Sequence, residues 1–273
     1  MTDIILDPWL DAEYDNRAKV PGHPAIIAGW ARDAAAFLDA HPHADLGLRY
    51  GAGPRQAMDV FWPGAARGGP LALFIHGGYW AALDRSSFSH LARGLLAHGV
   101  AVAMPSYDLC PGVSLEELVD EVRDAAAFAA ARAGRPVHAT GHSAGGHLTA
   151  MLLATDWRAR GLAADAVSGG CAVSGLFDLE PLIATKVNLP LGLDAPRAAA
   201  LSPALMPKPR GRLRAVVGEL EGAEYLRQSA VITAAWRGTF GVLPGADHFT
   251  APAPLADPDS ALVAAILADM RAA

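Results

Sequence analysis

Three different rhythms of apolar and polar residues run along the chain. Residues 8–40 carry Trp9, Tyr14, Ile26, Ile27, Trp30, Phe37 and Leu38 at helical spacing, broken at Pro21-Gly22-His23-Pro24. This predicts a helical arm over residues 1–45 that either covers the top of the sheet that follows or packs on its flank. Leu46 to Tyr50 and Ala57 to Trp62 then alternate apolar and polar positions about Gly51-Ala52-Gly53-Pro54. That alternation predicts a β-hairpin with one face in the core. From residue 71 the alternation stops and short, continuous apolar runs replace it: Leu71 to Ile75, Val100 to Met104, Val137 to Thr140, Ala166 to Val173, Leu213 to Val217 and Thr239 to Leu243. Runs of this kind predict strands covered on both faces.

Helix-forming stretches separate these runs: Ser86 to His98, Leu115 to Ala133, Gly145 to Thr155, Tyr225 to Trp236 and Asp259 to Ala272. An antiparallel start followed by strand–helix repeats predicts an α/β fold. Its sheet is mostly parallel and twisted, with an antiparallel N-terminal hairpin and helices on both faces. The 273 residues are expected to form one domain. Residues 181–209, rich in Pro and Leu, interrupt the repeat where either a lid or plain connecting structure is expected.

Composition narrows the partners. The chain is 52% hydrophobic with a formal net charge of −6 and no basic cluster. Nothing points to nucleic acid or an anionic membrane surface. Cys110 and Cys171 are too few for a disulfide framework, which suits a reducing cytoplasm. Met1 to Pro8 has no basic leader, and no apolar run has the length of a bilayer span. The expected partner is a small molecule.

Candidate chemistry centres on Gly141-His142-Ser143-Ala144-Gly145, a G-x-S-x-G between a β-prone run and a helix-forming one. Strand, glycine turn and helix are the context in which such a serine is projected above a sheet as a nucleophile. A serine hydroxyl needs a base, and the base a carboxylate, in the chain order Ser, acid, His. Only His147 and His248 come after Ser143. His147 lies one helical turn on and points away, so His248, in the loop after the last strand, is the base candidate. The acid belongs to the turn Gly218 to Glu224, where Glu221 is preferred over Glu219 and Glu224; Asp178 and Asp247 are the other carboxylates in reach.

The tetrahedral oxyanion needs preorganised N–H donors. These are expected from Ala144, after the nucleophile, and from Gly78 and Tyr79 in His76-Gly77-Gly78-Tyr79-Trp80, directly after the first parallel strand. His76 is expected to prop that loop rather than act as base. Tyr79 and Trp80 are candidates to line the substrate site, although Trp80 also fits as core beneath the loop. Metal hydrolysis is disfavoured, because His142 and His147 do not have H-E-x-x-H spacing.

With these residues in hand, the chain resembles the α/β-hydrolase superfamily. It is most similar to the arylformamidase (kynurenine formamidase) branch, through His76-Gly77-Gly78-Tyr79-Trp80, the Gly141 to Leu148 block, Tyr14-Asp15-Asn16-Arg17 with Val20-Pro21, Ser174 to Leu179 and Glu224 to Ser229. The resemblance implies hydrolysis of N-formyl-kynurenine to kynurenine and formate. It implies Ser143 as nucleophile, His248 as base and Glu221 as acid, no metal and no cofactor, and a homodimer is common in the family. An Asp is common at the acid position, so Glu221 departs mildly from the pattern and keeps Asp178 and Glu224 open. A short-chain carboxylesterase and a non-catalytic hydrolase-fold binding protein are the alternatives. The substrate's carboxylate would want a donor, with Arg85, Lys186 and Asn188 available.

Overall fold

The computed structural model describes residues 5–272, so the first four residues of the arm and of the supposed leader-free N-terminus lie outside it. The arm is three helices, α1 (Pro8–Tyr14), α2 (Asn16–Lys19) and α3 (His23–Ala40). The Pro21-Gly22 break falls where the sequence places it. Asp7 caps α1 by accepting from Trp9 and Leu10, and Asp15 caps α2 by accepting from Ala18.

The remaining elements are β1 (Ala44–Arg49), β2 (Ala57–Phe61), β3 (Leu71–Ile75), α4 (Arg93–Leu96), β4 (Ala101–Pro105), α5 (Leu115–Ala133), β5 (Val137–His142) and α6 (Ala144–Leu153). They continue with β6 (Val167–Val173), α7 (Ala195–Ala200), β7 (Arg212–Gly218), α8 (Ala223–Trp236), β8 (Thr239–Leu243) and α9 (Ala261–Ala272). The sheet order is β1-β2-β4-β3-β5-β6-β7-β8. β2 runs antiparallel to β1 and β4, and every later pairing is parallel.

Two apolar layers sandwich this sheet. Leu71, Leu73 and Ile75 of β3 join the layer that holds Leu118, Val122 and Leu148. Ala72 and Phe74 join the layer that holds Trp30, Phe37 and Ile266. A period of two within an all-apolar run is what a strand covered on both faces requires. Each large side chain so buried contributes roughly 1.5–3 kcal/mol.

Two expectations need correction. Thr239 to Leu243 is not covered on both faces: β8 is an edge strand, and Phe240 and Val242 are 44% and 45% exposed. Ser86 to His98 is not one helix. Short 3₁₀ turns at Arg85–Ser87 and Ser89–Ala92 precede the single α-turn α4. Gly94 explains the tight fit there, since a Cβ would lie 2.4 Å from the Leu255 carbonyl; packing overrides helix propensity. The 181–209 insertion packs mainly onto the core. Leu182, Leu191, Leu193, Ala198 and Leu201 are buried in the core, and only Lys186 and Val187 reach the cavity above the sheet. Among the described residues no helix is long and apolar enough to cross a membrane.

Candidate active site

The carboxyl ends of the parallel strands converge on one point. β5 delivers Ser143 with φ 57° and ψ −121°, a strained left-handed conformation for a residue with a side chain. Backbone fills the space beside both glycines of the motif: a Cβ on Gly141 would lie 2.1 Å from the Gly145 carbonyl oxygen, and one on Gly145 would lie 1.9 Å from that of Ile75. The turn is held by the Ser143 N–H donating to Val173 at 2.8 Å, and its N–H groups then open α6.

β8 delivers His248, whose Nε2 lies 3.0 Å from the Ser143 Oγ. Its Nδ1 lies 2.7 Å from Glu221 Oε2 in the turn after β7. A carboxylate only accepts, so Nδ1 carries the proton and Nε2 is free to receive the one on Ser143. Glu221 is fixed on its other oxygen, which accepts from the Ser174 hydroxyl and, at 2.8 Å, from the Gly218 N–H. Gly218 must be glycine, because the base loop passes so close that a Cβ would lie 2.4 Å from the Ala246 carbonyl oxygen. The Glu221 side chain is 1% exposed, so this chain of hydrogen bonds is shielded from water.

The other carboxylates point elsewhere. Glu219 accepts from the Gly245 N–H, Glu224 from Tyr14 and Arg227, Asp178 from Arg227, and Asp247 from the N–H groups of Phe249 and Thr250.

Opposite His248, the loop after β3 has positive φ at Gly78 (114°), Tyr79 (48°) and Trp80 (58°). The N–H groups of Gly78, Tyr79 and Ala144 donate to no other group among the described residues, which leaves three donors for an oxyanion beside Ser143. His76 braces the loop: its Nδ1 donates to the Gly77 carbonyl at 2.8 Å, and its ring stacks on Tyr107 at 4.3 Å. Complete burial holds its pKa down to about 4, so it stays neutral.

Ser143 and His248 open into a cavity of about 460 Å³. That is the size of a small-molecule site. Trp30, Ile27, Val187 and Phe249 give it apolar walls. A family profile described as the Alpha/beta hydrolase family matches residues 72–272. The chain belongs to the α/β-hydrolase family.

Among relatives, this hydrolase is 30% identical over 238 residues to kynurenine formamidase of Salmo salar, which covers 81% of this chain and 80% of that one. It is 28% identical over 236 residues to kynurenine formamidase of Danio rerio, with the same shares covered. A crystal structure from a Silicibacter species, described as a candidate thioesterase, matches with a TM-score of 0.89 at 38% identity, covering 94% of this chain and 98% of that one.

One sequence-derived site residue is displaced in this hydrolase. Trp80 does not line the cavity. It is 0% exposed, its indole N–H donates to His147 Nδ1 at 3.2 Å, and His147 Nε2 donates to the Leu201 carbonyl at 2.9 Å. Trp80 and His147 are therefore a buried brace beneath the oxyanion loop. Tyr79 does line the cavity, but its hydroxyl is spent on the arm: it donates to the Tyr14 carbonyl at 2.7 Å. The Tyr225 hydroxyl must then donate to it, also at 2.7 Å, and Asn16 Nδ2 donates to both hydroxyls, at 3.1 and 2.8 Å. The Tyr225 ring lies 4.6 Å from that of His248.

Of the three carboxylate donors suggested by sequence, Arg85 is ion-paired with Asp59 at 2.9 Å outside the cavity, and Asn188 ties up the Leu193 backbone. Lys186 lines the cavity but pairs with Asp11 at 2.7 Å. Sequence reasoning does not single out Asn16, Arg17, Trp30, Ser174 or Tyr225 as site residues. For the arm, the Tyr14-Asp15-Asn16-Arg17 block that carries part of the family resemblance is the available signal.

Proposed function

We propose that this hydrolase cleaves N-formyl-kynurenine to kynurenine and formate through a formyl-enzyme on Ser143. The observation that carries the reaction type is the continuous chain from Glu221 Oε2 to His248 at 2.7 Å and from His248 to Ser143 Oγ at 3.0 Å. The substrate reading is supported by the kynurenine formamidases matched over 81% of the chain.

His248 Nε2 takes the Ser143 proton as Oγ bonds to the formyl carbon. The carbonyl electrons move to oxygen, and the resulting oxyanion is held by the N–H groups of Gly78, Tyr79 and Ala144. When the tetrahedral centre collapses, the C–N bond breaks and His248 gives its proton to the departing anilide nitrogen. A water molecule then gives a proton to His248 and attacks the formyl ester. Formate leaves, and Ser143 recovers its proton. Glu221 keeps Nδ1 protonated and offsets the positive imidazolium in both halves.

Incubating the purified protein with N-formyl-kynurenine and following kynurenine absorbance and formate release tests the reading. Turnover that disappears in Ser143→Ala supports it. Turnover that survives in Ser143→Ala rejects the mechanism, and turnover of short esters without the formamide rejects the substrate. A thioester is the second substrate class, favoured by the 38% identical structure described as a candidate thioesterase.

A further inference from the structure

Beyond the reacting atoms, the cavity has four charged lining residues that are not part of the triad: Asp11, Asp15, Arg17 and Lys186. Asp11 and Lys186 satisfy each other through the 2.7 Å ion pair and a 2.8 Å bond from the Lys186 N–H. They fasten α1 to the 181–209 insertion. Asp15 and Arg17 are left. Asp15 spends one oxygen on the Ala18 N–H at 3.0 Å, and its other oxygen has no partner among the described residues. The Arg17 guanidinium makes no hydrogen bond or ion pair among the described residues. Asp15 is the N-cap of α2 and Arg17 lies in its first turn, and no hydrogen bond or ion pair joins the two among the described residues.

Their placement is fixed from between. Asn16 is 5% exposed and donates to the hydroxyls of Tyr79 and Tyr225, so the backbone carrying both charges is anchored to the oxyanion loop and to the ring beside His248. A guanidinium on a fixed backbone is suited to a carboxylate, which it meets through two parallel N–H bonds.

We propose that Asp15 and Arg17 form a subsite for the zwitterionic α-amino-acid head of the leaving group, with Arg17 donating to its carboxylate and Asp15 accepting from its ammonium. The identity of that leaving group rests on the formamidase reading. With Asp11 and Lys186 paired to each other, Asp15 and Arg17 are the two lining charges of opposite sign left for a ligand. A ligand with only one charge would use only one member of the pair. A head bearing both charges uses both, with its aryl ring between the apolar walls and its acyl carbon at Ser143.

Three formanilides that share one ring and one formyl group separate the two charges. N-formyl-kynurenine has both, N-formyl-kynuramine has the ammonium alone, and ortho-formamidoacetophenone has neither. In Arg17→Gln the kcat/KM ratio of N-formyl-kynurenine to N-formyl-kynuramine falls roughly ten- to a hundredfold, the scale of a lost charged hydrogen bond. In Asp15→Asn, which keeps the helix cap, the ratio of N-formyl-kynuramine to ortho-formamidoacetophenone falls. In parallel, L-kynurenine inhibits p-nitrophenyl acetate hydrolysis competitively, and its Ki rises in both variants. Ratios within about twofold of wild type, or a Ki that neither variant changes, overturn the subsite even where N-formyl-kynurenine is turned over. If N-formyl-kynurenine is not turned over but the kynurenine Ki depends on Arg17, the subsite stands and the formamidase reading falls.

Discussion

His142 donates its Nε2 proton to the main-chain carbonyl of His248 at 2.8 Å, so the residue just before the nucleophile holds the loop that carries the base. The bond fixes the tautomer of His142, and burial together with the neighbouring imidazole pushes its pKa well below the usual value. His142 therefore positions and does not titrate in the working range. His142→Phe keeps the ring and removes the donor, leaving a carbonyl unpaired. Displacing a catalytic group by even 1 Å costs on the order of 10²-fold. We expect kcat to fall by about that factor with little change in KM, and fluorophosphonate labelling of Ser143 to slow in parallel. Wild-type labelling rates in His142→Phe would show that the bond does not hold the base.

Gly78 is the tightest point of the oxyanion loop. Its φ is 114°, and a Cβ would lie 2.2 Å from the Ala82 carbonyl oxygen. Gly78→Ala must move the loop and misplace its N–H donors. Loss of one such donor costs about 10²–10³ in kcat. Steady-state kinetics alongside a circular dichroism spectrum distinguish this from unfolding, and a full kcat in a folded variant would contradict the assignment of these donors.

Glu221 is held by the Ser174 hydroxyl and the Gly218 N–H on one oxygen and by His248 on the other. Glu221→Gln preserves size but removes the charge and permits the wrong His248 tautomer. By analogy with the corresponding change in serine proteases, kcat should drop on the order of 10³–10⁴. Ser174→Ala should cost far less, about tenfold, since one charged hydrogen bond to the acid is lost. Reversed sizes for these two variants would mean that Glu221 is not the acid.

Chain order makes Ser143, Glu221 and His248 legible, because each comes after a different strand and the strands are marked by continuous apolar runs. The oxyanion loop is legible for the same reason. Trp80 is ambiguous in sequence, and only the third dimension shows its indole bonded to His147, 67 positions away. The arm is the least legible part. Asn16 meets Tyr225 across 209 positions, and no local pattern encodes a contact between an amide and a distant tyrosine hydroxyl. The exposure of β8 escapes a sequence reading because edge position depends on strand order, whereas its composition matches that of the central strands.

Asn16 donates to two tyrosine hydroxyls at once. Tyr79 belongs to the oxyanion loop, and Tyr225 packs against His248. Asn16→Ala leaves the buried Tyr225 hydroxyl without a donor and takes one of two from Tyr79, at a cost of about 1–3 kcal/mol. Because the arm also lines the cavity, the expected outcome is a lower kcat, a raised KM and faster proteolysis near residues 15–22. Wild-type kinetics in this variant would show that the arm docks independently of the site.

Stability should fall on mild acidification, because several histidines are buried as neutral rings. His76, His138 and His147 are held down to about 4 by burial. In the unfolded chain each titrates near 6.5. Between pH 6.5 and about 4 the unfolded state therefore binds more protons than the folded state, so folding free energy is lost as pH falls through this window and is fully present above it. From pH 7 to pH 5 each such histidine contributes a loss of roughly 2 kcal/mol. His147 can be tested alone, because Gln offers both a donor for the Leu201 carbonyl and an acceptor for Trp80. The unfolding free energy from urea titrations at pH 7 and pH 5 should drop steeply in the wild type. In His147→Gln the drop should be smaller by about 2 kcal/mol. An equal drop in both proteins would show that His147 is protonated as easily in the folded state as in the unfolded one.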